Sequence, residues 1–171
     1  MQIRRATIED ATALSKLASK TFFDTFTGTC TDADMDSFLQ EYYNINQVIK
    51  ELSDSKDYYY LYEVDAKAVG YIRVKEDYSG FDELKNFKSL ELKRLYVLKE
   101  FHGLGVAQQL MDFAFDFANK NKYTVMWLGV WEYNERAKRF YAKNGFIDTC
   151  YSHPFPIGNT PQTDLWYWKK L

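Results

Sequence analysis

The residues His102-Gly103-Leu104-Gly105-Val106-Ala107 stand where a run of strand character ends and a run of helix character begins. Two glycines let a backbone approach an anion with no Cβ in the way. The first N–H groups of a helix lack internal partners, and the helix dipole is positive at that end. Together these features make a pyrophosphate cradle. A plain glycine turn leading into a helix explains the same six residues, and so short a pattern does not separate the two readings. It is not a Walker loop, because no Gly-Lys-Ser/Thr follows, nor the dinucleotide fingerprint, which would need a glycine where Gln108 stands.

A second feature is electrostatic. From Thr21 to Ile49 there is no Lys, Arg or His, while Asp24, Asp32, Asp34, Asp36 and Glu41 supply negative charge. Phe22, Phe23, Phe26, Tyr42 and Tyr43 lie among them. A negative surface attracts cations, and rings beside carboxylates suit an alkylammonium chain through cation–π contacts. A solvated acidic helix face, with Asp32 and Asp34 at its cap, accounts for at least half of that charge.

The composition frames both features. The chain has 171 residues, 46% hydrophobic and 27% charged, an ordinary globular balance at a length suited to one domain over 1–171. A domain of that size buries roughly 70% of its unfolded surface and needs no covalent staple. The net charge is -2 and no Lys/Arg block of five occurs, which argues against a nucleic-acid partner. No apolar run approaches about 18 residues, so no membrane span is expected. Met1-Gln2-Ile3-Arg4-Arg5 lacks the apolar stretch of a signal peptide. Cys30 and Cys150 lack CxxC spacing and read as free thiols of a cytoplasmic protein, with a disulfide as the other option.

The elements that must position these residues follow from periodicity. Residues 2–5 read as a strand. Thr7-Ile8-Glu9-Asp10 is a capping-box signature opening a helix with Ala11, Leu14, Ala18, Phe22 and Thr25 on one face. Thr31-Asp32-Ala33-Asp34 opens a second helix carrying Met35, Phe38, Leu39 and Tyr42, and a short third covers 46–53. Segments 58–64 and 69–75 are dense in Tyr and Val, with 65–68 suited to a hairpin. A polar loop over 76–88 leads to strand 90–98, helix 104–121, strand 123–130, helix 134–143 and closing strands 147–152 and 163–169. Strand 90–98, helix 104–121 and strand 123–130 form a βαβ unit, so its strands should be parallel with a right-handed crossover. The fold class is α/β, a mixed, mostly antiparallel sheet with helices on both faces. Trp166, Tyr167 and Trp168 suit either a core or a homodimer contact.

The segment Trp127–Phe146 contains Asn134-x-x-Ala137-x-x-Phe140-Tyr141-x-Lys143-x-Gly145-Phe146. This string resembles the second signature of the GCN5-related N-acetyltransferase superfamily. The loop 102–107, preceded by Leu95-Tyr96-Val97, resembles the first, Gln/Arg-x-x-Gly-x-Gly/Ala. They occur in the family order, and the match is clearest over 90–146. One departure stands out: the usual Gln or Arg is His102. Imidazole still donates a hydrogen bond to a phosphate, but carries a full charge only below about pH 6.5.

The resemblance implies an acetyltransferase fold whose sheet splays between its two parallel strands, with acetyl-CoA as cofactor and no metal. Backbone groups of Leu95, Tyr96 and Val97 would pair with the pantetheine arm. His102, Gly103, Leu104, Gly105, Val106 and Ala107 would hold the pyrophosphate. Asn134 would touch the pantetheine arm, a position that also suits a helix N-cap, and Lys143 would sit near a phosphate. Glu91 falls where family members often carry a catalytic glutamate; Leu90 and Leu92 face the other way. Pairing with Lys93 or Arg94 on the strand surface is the alternative for Glu91. Tyr141 would protonate the leaving thiolate, since a phenol with a pKa of about 10 is protonated at neutral pH. Core packing is its alternative, with Phe140 beside it the better core residue.

The sequence also resembles the bacterial spermidine/spermine N-acetyltransferases, through Trp127-Leu128-Gly129-Val130-Trp131-Glu132, the phosphate loop, and His153, Phe155, Gly158, Gln162 and Asp164. Lys93 departs from that branch, which tends to have an acidic residue there. The implied acceptor is a primary amine of a small cationic molecule such as spermidine or spermine, met by Phe22, Asp24, Asp36, Tyr42 and Glu91. An aminoglycoside, an amino acid or a peptide N-terminus is the alternative acceptor, and a silent acyl-CoA-binding sensor the alternative class.

Overall fold

The computed structural model describes residues 2–77 and 80–171. Seven strands form one sheet in the order β1-β2-β3-β4-β5-β7-β6: β1 (Gln2–Arg5), β2 (Asp57–Val64), β3 (Lys67–Lys75), β4 (Ser89–Val97), β5 (Val125–Trp131), β6 (Ile147–Pro154) and β7 (Thr163–Lys170). Only β4 and β5 pair in parallel, and the other five ladders are antiparallel. The helices are α1 (Ala11–Phe26), α2 (Asp32–Tyr42), α3 (Ile45–Leu52), α4 (Val106–Lys120) and α5 (Glu135–Lys143).

Period-two alternation sorts β2 between two cores. Tyr59 and Leu61 face α1–α3, where Leu14, Ala18, Phe22, Met35, Phe38 and Val48 are buried. Tyr58, Tyr60 and Tyr62 face α4, whose Leu110, Met111, Ala114 and Ala118 pack on Leu90, Leu92, Met126 and Leu128. Deleting a fully buried Leu side chain such as Leu14 or Leu110 would cost about 2–5 kcal/mol. Thr7 and Asp10 form the expected cap, with the Thr7 N–H donating to Asp10 Oδ2 at 2.8 Å, and Thr31 Oγ1 accepts from the Asp34 amide at 3.1 Å. The hairpin is tighter than 65–68: Val64 faces Lys67, and Asp65 and Ala66 alone turn the chain, with φ of 49° and 60°, the sense that matches strand twist.

Two parts differ from the reading of the sequence. The stretch 76–88 is not simply polar, although Tyr78 and Ser79 lie outside the described residues. Phe81 and Leu84 are buried on Val125 and Trp127, and Trp166 and Trp168 pack against them; a Cβ on Gly80 would stand 2.8 Å from Leu84 and from Trp127. The tryptophans near the C-terminus thus have a place in the core. Arg94 does not meet Glu91. It turns to the other acid cluster, donating to Glu51 Oε2 at 3.1 Å and Tyr59 Oη at 2.6 Å, while Arg73 binds Glu51 and Asp57. Removing one partner from so buried a network costs about 3–5 kcal/mol. No helix among the described residues is long and apolar enough to cross a membrane.

Candidate active site

The parallel pairing of β4 and β5 covers Ser89↔Val125, Leu90↔Met126 and Glu91↔Trp127 and stops there. Both strands run on, to Val97 and Trp131. A bulge marks the divergence: Val74 faces Leu92 but Arg73 faces Arg94, so Lys93 is an extra residue. Bulges bend and twist the strand that carries them. The wedge opens into a cleft of about 1070 Å³ whose walls include Leu95, Tyr96, Val97, Trp131, Asn134 and Tyr141.

The glycine loop closes one end of this cleft. Gly103 and Gly105 both have φ of +80°, a region that disfavours any residue with a Cβ. A Cβ on Gly103 would meet nothing within 4 Å, and one on Gly105 only Gln109 Nε2 at 3.9 Å. The space in front of the loop is therefore open and faced by backbone. Helix α4 begins at Val106, two residues later than expected, and aims its unpartnered first amides at that space. This is the shape a pyrophosphate needs. Gly103, Gly105, Val106 and Ala107 line the cleft; Leu104 does not, and its side chain is 66% exposed to solvent.

His102 lines the cleft without a ring nitrogen free for a phosphate. Its Nε2 lies 2.8 Å from the Val97 carbonyl oxygen, which only accepts, so Nε2 carries the proton and donates. Its Nδ1 lies 2.6 Å from Arg136 Nη1, a guanidinium that only donates, so Nδ1 accepts. The ring is thus neutral. Both ring nitrogens of His102 thus have partners within the protein, and so has the Val97 carbonyl. The cations on the cleft walls are Lys99, Arg136, Arg139 and Lys143. Asn134 caps α5, its Oδ1 accepting from the Ala137 amide at 3.0 Å, and lines the cleft as well.

Tyr141 lies half-buried on the cleft wall, packed edge-on against Phe140 and Phe146. Burial first, and the Asp164 carboxylate second, push its phenol above the ordinary value. It therefore stays protonated and able to donate. Phe140 is no more buried; both adjoin the α4-side core and the cleft.

Glu91 does not line the cleft. It is 6% exposed, at the apex of the wedge, and both of its oxygens accept from Lys93 Nζ at 3.1 Å. Burial pushes its carboxyl up, with Lys93 opposing. A second carboxylate, Asp164 of β7, stands opposite Trp131 in the ladder. No hydrogen bond reaches its carboxylate among the described residues. Burial holds it at about 7, Lys93 pulling down and Glu91 pushing up. His153, its cross-strand partner, is lowered by burial and then by Lys93, and among the described residues His153 Nδ1 is buried without a hydrogen-bond partner, as is Trp166 Nε1. The sequence pointed to Asp164 only as part of a resemblance. Its signal was a lone carboxylate opening an otherwise aromatic strand.

The acidic segment divides. Asp24 lines the cleft, but its charge is shared with Lys20 at 2.8 Å and Lys99 at 3.8 Å. Phe22 is 1% exposed and stacked on Phe26 and Phe38 in the core. Asp36 is exposed on α2. Tyr42 borders a separate shallow hollow with Asp34, Glu41 and Asn159. Phe22 is thus held in the core, and Asp36 and Tyr42 are not brought to the cleft because the face of α2 that packs is the one bearing Met35 and Phe38.

A splayed parallel pair, a glycine cradle at the following helix and a phenol on the next helix thus border one cleft. The model of the acetyltransferase (GNAT) family matches residues 14–146. An uncharacterised N-acetyltransferase of Lactobacillus delbrueckii subsp. lactis is 33% identical over 171 residues, covering 100% of this chain and 98% of that one. Another, from Mycobacterium tuberculosis, is 31% identical over 137 residues, 80% of this chain and 83% of its own. The crystal structure of the PaiA N-acetyltransferase of Thermoplasma acidophilum in complex with coenzyme A shares the fold, with a TM-score of 0.80 at 22% identity over 99% of this chain and 98% of that one. The chain belongs to the GNAT acetyltransferase family. It is an N-acetyltransferase that uses acetyl-CoA.

Proposed function

We propose that the chain acetylates a primary amine of a small cationic acceptor of the polyamine type, such as spermidine or spermine. The observation that carries this reading is two carboxylates, Glu91 at the apex of the wedge and Asp164 over Gly129, both under the field of one cation, Lys93. An ammonium group entering there meets net negative charge in a dehydrated setting, where attraction is strong. The negative field expected of the 21–49 helices thus has a smaller and deeper source in this reading.

When bound, acetyl-CoA supplies an activated acetyl thioester. The backbone at 103–107, with Arg136, Arg139 and Lys143 around it, holds the phosphates. Asn134 and the strand edge at 95–97 align the pantetheine arm. An alkyl ammonium with a pKa of about 10.4 must lose its proton before it can act as a nucleophile. Glu91 and Asp164 collect it as a coupled pair, sharing one proton between them. Tyr141 donates its phenolic proton to the departing sulfur and is reprotonated by the second proton that the nitrogen sheds as the amide forms. Unpaired Cys30 and Cys150 fit a cytoplasmic setting.

The test is an acceptor panel scored by free thiol release: spermidine, spermine, an aminoglycoside, free amino acids and a peptide with an open N-terminus. Spermidine or spermine should give the highest kcat/KM, falling as salt rises because steering is screened beyond about 8–10 Å. A peptide used in preference, with no salt dependence, would contradict the acceptor class and leave the N-acetyltransferase in place.

A further inference from the structure

We propose that Arg136, held in place by the neutral ring of His102, is the cation that binds the cofactor's phosphates at the mouth of the glycine cradle. The loop position that the family usually fills with Gln or Arg is His102 here, and its two nitrogens are spent on Val97 O and Arg136 Nη1 at 2.8 Å and 2.6 Å. What that residue does is aim a guanidinium. Arg136 sits in the first turn of α5 and lines the same cleft as Gly103 and Gly105. It is exposed and has no carboxylate partner among the described residues; its neighbour Glu135 pairs with Lys138 instead. A guanidinium so held keeps further N–H groups for phosphate oxygens, in the fork geometry that suits them. His102 is a positioning residue in this arrangement, tying strand β4 to helix α5 through one imidazole.

The experiment is calorimetric titration of coenzyme A into the apo enzyme, with melting curves as the folding control. Arg136→Ala, at an exposed site, should fold normally and bind about tenfold more weakly or worse. His102→Leu should lose a similar factor, and adding it to Arg136→Ala should cost little more, because the two act as one unit. His102→Gln should restore binding, since a carboxamide donates to Val97 O and accepts from Arg136. Wild-type affinity in Arg136→Ala overturns the proposal. So does full additivity of the two losses.

Discussion

Gly129 of β5 lacks a side chain where Asp164 of β7 needs room: a Cβ there would stand 3.0 Å from Asp164 Oδ2 and 3.3 Å from His153 Cε1. Within Trp127-Leu128-Gly129-Val130-Trp131, a strand otherwise filled with large residues, the one glycine lets a carboxylate and an imidazole lie over the backbone just beyond the last β4–β5 pair. Charge is thereby placed at the apex of the wedge, at a cost to the fold.

That cost gives a stability prediction. The Asp164 carboxyl is raised from the usual carboxylate range to about 7. The folded state therefore holds its proton more tightly than the unfolded chain. Its contribution is fully favourable below about pH 4, is lost as pH rises through about 7, and changes no further above that. Asp164→Asn should melt a few degrees higher than the wild type at pH 8, since about 1 kcal/mol moves a chain of this length by roughly 2–4 °C. The gap should close as the pH approaches 4. Equal melting temperatures in differential scanning calorimetry at pH 8 would show that Asp164 carries no such penalty.

Gly105→Glu should abolish coenzyme A binding. The substitution forces a side chain onto a φ of +80°, at roughly 1–2 kcal/mol, and sets a carboxylate among amides that await an anion. A calorimetric titration that gives wild-type affinity for a folded Gly105→Glu variant would remove the cradle from the binding site.

Tyr141→Phe keeps the ring and its packing against Phe146 and deletes the donor. We expect kcat to fall by roughly 10²-fold or more with coenzyme A affinity nearly unchanged, the pattern of a positioned acid. A variant turning over at the wild-type rate, with chemistry limiting, assigns the thiolate's proton to another group.

The sheet, its one parallel pair and the glycine cradle were legible in the sequence because each rests on local chemistry: strand alternation up to Val97, two glycines, then the Val106 helix. Asn134 and Tyr141 were legible through a string within one helix. The acceptor side was not. The 21–49 helices carry conspicuous acids, yet most face solvent, and a stacked core consumes Phe22. Asp164 comes under the influence of Glu91 and Lys93 only because β7 lies beside β5, a pairing that no local period encodes. Arg136 was hidden among Glu135, Lys138 and Arg139 on a solvated helix, and only the tertiary contact with His102 sets it apart.

The proposal that Glu91 and Asp164 receive a cationic amine and its proton is tested most directly by kcat for spermidine across about pH 6.5–9.5, below the amine's own value of about 10.4, with wild type and Glu91→Gln side by side. The wild type should acetylate spermidine. Glu91→Gln should fall by roughly 10²-fold near pH 7 and recover part of the loss toward pH 9.5, where more of the amine is already neutral. A Glu91→Gln profile that superimposes on the wild type, or a wild type that does not acetylate spermidine at any pH, would contradict it.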